Sequence, residues 1–487
     1  MVDQHSDSRS GRILDHPTGV PRRLFLAGAS VTVLMGLPLL SAAPALAAGP
    51  GDERHPDEPS RQGGSVGRAQ SFLRAMTDAY PEVNPGPRIP QSYSDELGLF
   101  STAFIYDVAL AVCAALAGGR RSLDLARTIG DGIVYALDHD PAYDDGRLRQ
   151  GYNVGPYVFY DGSTQPDGFI RPDGTANVGS QFGFLGTAVG DMAWPGIALV
   201  QLYRRTRQRT YLRAAERIGT WITTNAVSPG TLGGFRFGVD AANTPIPNVS
   251  TEHNIDCTSF FGQLHRATGE GTWLRAARRA RGFVDAMWSS DGGFFYTGSN
   301  DGNTINPDPL PLDPQTWSWL ALRERKYARA LEWASTTLAV TDTASVPNSQ
   351  VPAGVSISGV TFSTASLTST ASYNQIPVDQ HGVWLEGTAQ LSTALADRRD
   401  RRDQARANDL LRQCQIAQRE LGFATAPGTP QHVGGRPLAE NGGVVAASSL
   451  IDSGFGFGYF RVQHVGATSW YLMAAARSNP MQFGGLD

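Results

Sequence analysis

The chain is poor in cysteine, in lysine and in recognisable catalytic signatures. Cys113, Cys257 and Cys414 are its only cysteines among 487 residues. They are odd in number, far apart and set in apolar stretches with no metal-ligand spacing, which argues against a disulfide framework and a thiolate metal site. Small buried core residues are the expectation. Lys326 is the single lysine, so positive charge is carried by arginine, and the net charge is −4. No basic footprint for nucleic acid follows from that balance. There is no H-E-x-x-H and no P-loop, so zinc-protease and nucleotide-hydrolysing chemistry lose their usual signatures. The acidic stretches Asp138-His139-Asp140 and Asp144-Asp145-Gly146 lack EF-hand spacing and read as solvated turns. No metal and no cofactor are expected.

What is present starts with an address. Pro21-Arg22-Arg23-Leu24-Phe25-Leu26 opens an apolar run to about Leu40, and Ala45-Leu46-Ala47 offers a small-residue cleavage point. This resembles a twin-arginine export signal, which implies the twin-arginine translocation machinery as a partner and a secreted product. Gly28, Gly36, Pro38 and Pro44 make the run a poor spanning helix, so no stable membrane insertion is expected after cleavage. The expected organisation is a signal peptide over 1–47, a disordered linker over 48–64 and one monomeric catalytic domain over 65–487.

Helical periodicity fills that domain. Helices are expected near 65–79, 98–118, 120–138, 191–206, 208–226, 252–268, 271–288, 313–322, 325–339, 383–397, 401–421 and 466–477. They alternate in character. Segments starting at 208, 271 and 401 are amphipathic and arginine-rich, as solvated outer helices are, whereas those near 98, 191, 252, 383 and 466 are apolar on most faces. Short turns such as Gly118-Gly119 and Gly269-Glu270 force antiparallel neighbours. The return connections are long and crowded with Gly, Pro, Asp and aromatics, and the Val/Ser/Ile/Thr alternation over 340–381 predicts a β-hairpin insertion.

A recurring pattern marks the start of the apolar helices: a Gly/Pro/Asp-rich loop ending in an acid. It recurs at Tyr106-Asp107-Val108, Gly190-Asp191-Met192-Ala193-Trp194, Thr251-Glu252-His253-Asn254-Ile255-Asp256, Leu312-Asp313-Pro314-Gln315-Thr316-Trp317 and Trp384-Leu385-Glu386-Gly387-Thr388. Ala467-Thr468-Ser469-Trp470 is a sixth member without the acid. In order and placement these segments resemble the six-hairpin (α/α)6-toroid glycosidases over roughly residues 65–478. The resemblance implies an all-α toroid with the acid-bearing helix starts on one rim, and a carbohydrate substrate.

Glycoside hydrolysis needs a protonated carboxyl on the leaving oxygen and a second carboxylate, with the two held in unlike environments. Glu252, with Asp256 one helical turn on, is the first candidate. Glu386, between Trp384 and Gly387, is the second. Asp191, with Trp194 on the same face, is the third; its place resembles that of the catalytic Asp in the unsaturated glucuronyl hydrolases. Asp107, Trp194, His253, Asn254, Asp256, Asp313, Trp317 and Trp384 are the expected substrate-binding residues, although Asp313 reads first as an N-cap ahead of Pro314. Loop aromatics, among them Tyr152, Tyr157, Phe159, Tyr160 and Phe169, offer faces for pyranose stacking. The expected activity is hydrolysis of a polysaccharide or oligosaccharide, with inversion. A polysaccharide lyase using a Tyr or His base (His253, His381, His432, His464, Tyr152 or Tyr459) with Arg236 or Arg461, and a non-catalytic glycan-binding protein, are the alternatives.

Overall fold

The computed structural model describes residues 58–159, 162–179 and 185–487. The signal-like segment 1–47, residues 48–57 of the expected linker and Tyr160 lie outside them. Among the described residues twelve α-helices form: α1 (Glu58–Thr77), α2 (Ile105–Ala117), α3 (Leu123–Asp138), α4 (Val189–Thr206), α5 (Arg209–Asn225), α6 (Thr251–Thr268), α7 (Gly271–Ala286), α8 (Asp313–Leu322), α9 (Ala328–Thr337), α10 (Leu385–Arg398), α11 (Arg401–Glu420) and α12 (Val465–Ala475). Each expected helix has its counterpart. The first begins earlier than its periodicity suggested, inside the stretch expected to be linker.

The even-numbered helices form an inner ring. Each packs on the next, and α12 returns to α2. Each also pairs with an outer helix, in the order α2–α3, α4–α5, α6–α7, α8–α9, α10–α11 and α12–α1, so the first described helix completes the last hairpin. This is an (α/α)6 toroid. Hydropathy explains the sorting. On α5 the residues Tyr211, Leu212, Ala214, Ala215, Ile218, Trp221 and Ile222 are buried at three-to-four spacing, while Arg213 between them is exposed. On α2 every residue from Val108 to Leu116 is buried, because outer helices and ring neighbours cover all its faces. Each fully buried Leu or Ile on such a helix contributes roughly 1.5–3 kcal/mol.

Hairpin turns close with a left-handed residue. Gly269 takes that role after α6 at φ 80°, whereas Arg207, Arg323 and Arg399 do so after α4, α8 and α10 at φ 62°, 52° and 61°. The return loops carry short antiparallel pairings. Ala339–Thr343 pairs with Ser356–Val360 and Ser372–Tyr373 with Ile376–Pro377, two antiparallel pairings where one hairpin insertion is expected. Two loops repeat one device. Gly238 pairs with Ala188 just before α4, and Gly298 with Ser250 just before α6. Both glycines have φ near 145° (143° and 147°), and a Cβ on either would lie 1.9 or 2.2 Å from a carbonyl oxygen of the opposing strand. The similar segments Gly233-Gly234-Phe235-Arg236-Phe237-Gly238 and Gly292-Gly293-Phe294-Phe295-Tyr296-Thr297-Gly298 therefore hold equivalent positions in the ring.

All three cysteines are buried and free. The acidic stretches at 138–146 are held by arginines: Asp140 by Arg149, Asp145 by Arg147, and Asp138 and Asp144 by Arg217. No helix among the described residues is long and apolar enough to cross a membrane.

Candidate active site

The six inner helices begin on one rim, and each start is pinned in the same way. Ile105 N–H donates to Gln150 O, Val189 N–H to Phe237 O, Thr251 N–H to Thr297 O, Leu312 N–H to Phe362 O, Leu385 N–H to Ala446 O and Val465 N–H to Ser92 O, over 2.7–3.1 Å. Every acceptor belongs to the return loop that follows the paired outer helix. A helix N-terminus leaves its first N–H groups without intrahelical partners, and here a loop carbonyl takes one of them. Side chains serve as caps at two inner starts, Ser250 accepting from His253 N and His464 Nδ1 accepting from Ala467 N. The acids of the first turns therefore do not cap. Asp313 in particular sits inside α8, with Leu312 as N-cap and no side-chain capping bond. This corrects its reading as a cap.

Released from that duty, the acids turn to the ring axis. Asp107, Asp191, Glu252, Asp256, Asp313 and Glu386 line one well together with His253, His464, Tyr93, Tyr106, Trp194, Trp317, Trp384 and Tyr459. No arginine or lysine among the described residues lines it. Tyr106 and Glu252 are the partly exposed members; the others are buried. The space between them is ≈ 20 Å³, room for about one water molecule. Ring order sets who faces whom. Helix α4 lies opposite α10, so Asp191 rather than Glu252 stands across from Glu386, and Glu252 on α6 stands opposite His464.

Two groups of carboxyls result. In the first, Tyr106 donates to Glu386 Oε1 (2.7 Å) and itself accepts from Trp470 Nε1 (3.2 Å). His464 Nε2 donates to Asp107 at 3.1 and 3.2 Å, and its Nδ1 lies 3.7 Å from Glu386 Oε2. Its cap fixes the neutral tautomer with the proton on Nε2, whereas the two carboxylates favour the imidazolium. Burial pulls the His464 pKa down, but the charge and hydrogen bond of Asp107, with the charge of Glu386, raise it overall. Burial pushes Glu386 up to about 8, with Asp107 and Asp313 adding to the rise and His464 and Tyr106 opposing it. Gly466 makes the approach possible, since a Cβ there would lie 2.6 Å from Asp107 Oδ1 and 2.7 Å from Glu386 Oε2.

In the second group, burial raises Asp191 to about 7 against a hydrogen bond from Gln150 (3.1 Å). It raises Asp313 to about 7 against a bond from Gln390. Glu252 rises well above the carboxylate range, first from desolvation and then from the charges of Asp313, Asp256, Asp191 and Glu386. Asp256 rises for the same reasons, with the Trp194 indole N–H opposing. Close carboxyls of this kind cannot all ionise at neutral pH.

Aromatic rings pack together beside the well. Tyr106, Trp194, Trp317 and Trp470, from four inner helices, meet at centroid separations of 5.2–6.2 Å. The indole N–H groups of Trp194, Trp317 and Trp384, both nitrogens of His253, both oxygens of Asp256 and Asp313 Oδ1 are buried without a well-formed protein hydrogen bond. Burial alone lowers His253 to about 3, so its ring is neutral, with one donor and one acceptor. These donors and acceptors ring the same space, and buried polar atoms ordinarily find partners.

All the candidate residues except Asn254 come together here. Asn254 is a correction: its Oδ1 accepts from Phe235 N, and its Nδ2 donates to Phe235 O and Ser250 O, so it braces the loop that holds α6. Tyr152 and Phe169 are also buried in the core and offer no stacking face. His464, expected only as an alternative lyase base, and Tyr106 and Tyr93, outside the expected site residues, also line the well. The sixth helix start lacks an acid but carries His464 at its N-cap, one residue before the apolar run, and that position was the available signal. The cationic groups a lyase would need lie elsewhere: Arg236 donates to Asn225 O, and Arg461 to the carbonyls of Leu421, Phe423 and Ala424.

No family model and no curated protein matches the chain. Solved structures do. A family 76 glycoside hydrolase from a bovine strain of Bacteroides thetaiotaomicron is 10% identical with TM-score 0.52, over 85% of this chain and 77% of that one. A sugar epimerase from a ruminal bacterium is 10% identical with TM-score 0.50, over 83% and 98%. A glycosidase is similar as three variants, a glutamate-to-alanine form with glucose bound, a tyrosine-to-phenylalanine form and a second glutamate-to-alanine form. These are 13–14% identical with TM-scores 0.51–0.52, over 86% of this chain and 97% of theirs. At such identities the shared property is the toroid.

Proposed function

We propose that this chain is an exported glycoside hydrolase acting on a neutral polysaccharide or oligosaccharide, with Glu252 as general acid and Glu386 as the base. The observation that carries the reading is the unlike surroundings of two glutamates on one well. Glu252 is partly exposed, has no hydrogen bond among the described residues and is opposed by four carboxyls, so it keeps its proton and can give it to a leaving oxygen. Glu386 is the better placed to hold negative charge, with a phenol donor and an imidazole beside it. That pairing of a raised acid with a supported carboxylate is what glycoside hydrolysis requires.

The sugar ring rests at the mouth, over Tyr106 and Glu252, because the well below admits about one water. A water there, deprotonated by Glu386, attacks the anomeric carbon as Glu252 protonates the departing oxygen, which inverts the anomeric centre. Asp191, Asp256, Asp313, His253 and the indole N–H groups of Trp317 and Trp384 line that space and offer partners to the water or hydroxyl that enters it. With six carboxyls around it and no arginine or lysine among the described residues lining it, the well disfavours a uronate, which favours a neutral sugar over an acidic one and hydrolysis over lyase chemistry. One tyrosine and two glutamates are also the residue types substituted in the glycosidase variants of the same fold. The apolar run after Arg22-Arg23 supports export by the twin-arginine route.

The test is release of reducing ends from a panel of neutral and uronate-containing glycans, with the product anomer followed by proton NMR. Inverted product from a neutral glycan is expected. Unsaturated uronate products, or no release from any glycan, would overturn the reading.

A further inference from the structure

A second hollow opens on the same rim, with ≈ 470 Å³ of space, which falls within the range of small-ligand sites. Its walls come from three return loops and include Tyr80, Asp95, Phe100, Tyr157, Gly434 and Arg436. We propose that this hollow binds a distal stretch of the same neutral glycan chain whose scissile sugar lies at the well's mouth. This rests on the hydrolase reading above.

Three observations support it. The hollow and the well share a wall. Gln91 Nε2 donates to Tyr93 O at 2.8 Å and to Asp95 Oδ1 at 2.9 Å. Tyr93 stacks on His464 inside the well, with centroids 4.1 Å apart and planes 3° apart, while Asp95 faces the hollow. A chain leaving the well therefore meets the hollow two residues further along the same loop.

The hollow also carries an aromatic platform. Phe100 and Tyr157 stack at 4.7 Å and 20°, and Phe159 meets both edge-on at 5.6 and 4.7 Å. All three rings are partly exposed, and Val158 beside them is 59% exposed. Apolar faces of this kind suit the faces of pyranose rings. Phe100 adopts φ 54°, a left-handed conformation that is unfavourable for a side chain with a Cβ. The fold tolerates that cost while presenting the ring to the platform.

Finally, the polar groups are mixed in sign. Asp95 accepts from Gly434 N and Gly435 N at 3.2 and 2.9 Å, which fixes the loop, and Arg436 is paired with Glu82 at 2.6 Å. With Glu82 and Asp95 against the single cation Arg436, the lining carries no net positive charge, which suits hydroxyls over phosphate or uronate.

Affinity gel electrophoresis in dextran, yeast mannan and cereal β-glucan, with reducing-end assays on the same polymers and on their disaccharides, tests the proposal. Tyr157→Ala removes one ring. Phe100→Gly removes the other while relieving its backbone, so loss of folding does not confound it. The wild type is expected to be retarded in at least one gel, and both variants to lose that retardation at least fivefold and raise KM on the polymer without changing kcat on the disaccharide. Equal retardation of variants and wild type, or hydrolysis with no retardation in any gel, overturns the second site and leaves the hydrolase reading intact. Neither retardation nor hydrolysis on any polymer overturns both.

Discussion

Tyr106 donates its phenol proton to Glu386 across the ring seam, 280 residues apart in the chain and 2.7 Å apart in space. The bond joins α2 to α10 and gives Glu386 the donor that Glu252 lacks. Burial raises both acids, but only one of them has hydrogen-bonding support for its charge.

The acid limb of kcat/KM tests that support. If Glu386 must be ionised, activity rises with pH through an apparent value far above the usual 4.5 and near 8, as a coupled rather than a single-site titration. Tyr106→Phe removes a group that lowers the Glu386 pKa, so the limb moves to higher pH. A limb that stays in place in this variant separates the bond from the chemistry.

Stability without substrate carries the opposite sign. Asp191 and Asp313 are raised from 3.8 to about 7 and Glu386 from 4.5 to about 8. A carboxyl whose folded pKa exceeds its unfolded value contributes fully below the unfolded value and loses that contribution as pH rises through the folded one. A tenfold difference in proton affinity between folded and unfolded chain corresponds to about 1.4 kcal/mol. The melting temperature should fall between pH 5 and 9, and Glu386→Gln should flatten the slope and be the more stable form at pH 9. A melting temperature independent of pH would contradict the buried-acid account.

Asn254 offers a contrast between bracing and binding. Asn254→Ala leaves buried Phe235 backbone groups without partners, at a cost of about 1–3 kcal/mol each. Thermal melting should show that loss while KM stays unchanged. Unchanged stability with a raised KM would return Asn254 to the substrate.

The left-handed arginines give a prediction far from the well. Arg399, at φ 61° after α10, adopts a conformation that glycine takes without a steric cost. Arg399→Gly should stabilise the fold by up to about 1 kcal/mol in denaturant titration without affecting catalysis.

The ring was readable in the sequence because inner and outer helices differ in burial, and burial leaves a periodic trace: Arg213 beside Leu212 and Ala214 on α5, against the unbroken apolar run Val108–Leu116 on α2. Candidate acids were readable because each ends a loop at a helix start. Which of them cap was not, since the backbone bonds that pin the six helix starts come from loops dozens of residues away, and no local pattern encodes Phe362 O meeting Leu312 N. For the same reason Asn254 looked like a neighbour of substrate, and the joining of His464 to Asp107, 357 residues apart, left no trace in spacing.

The central claim is that Glu252 and Glu386 form the working pair. Reducing-end release by Glu252→Gln and Glu386→Gln, each confirmed as folded by circular dichroism, measures it directly. The account predicts that each variant loses roughly 100-fold or more in kcat on the polymer cleaved by the wild type. Near-wild-type turnover by either variant would contradict it.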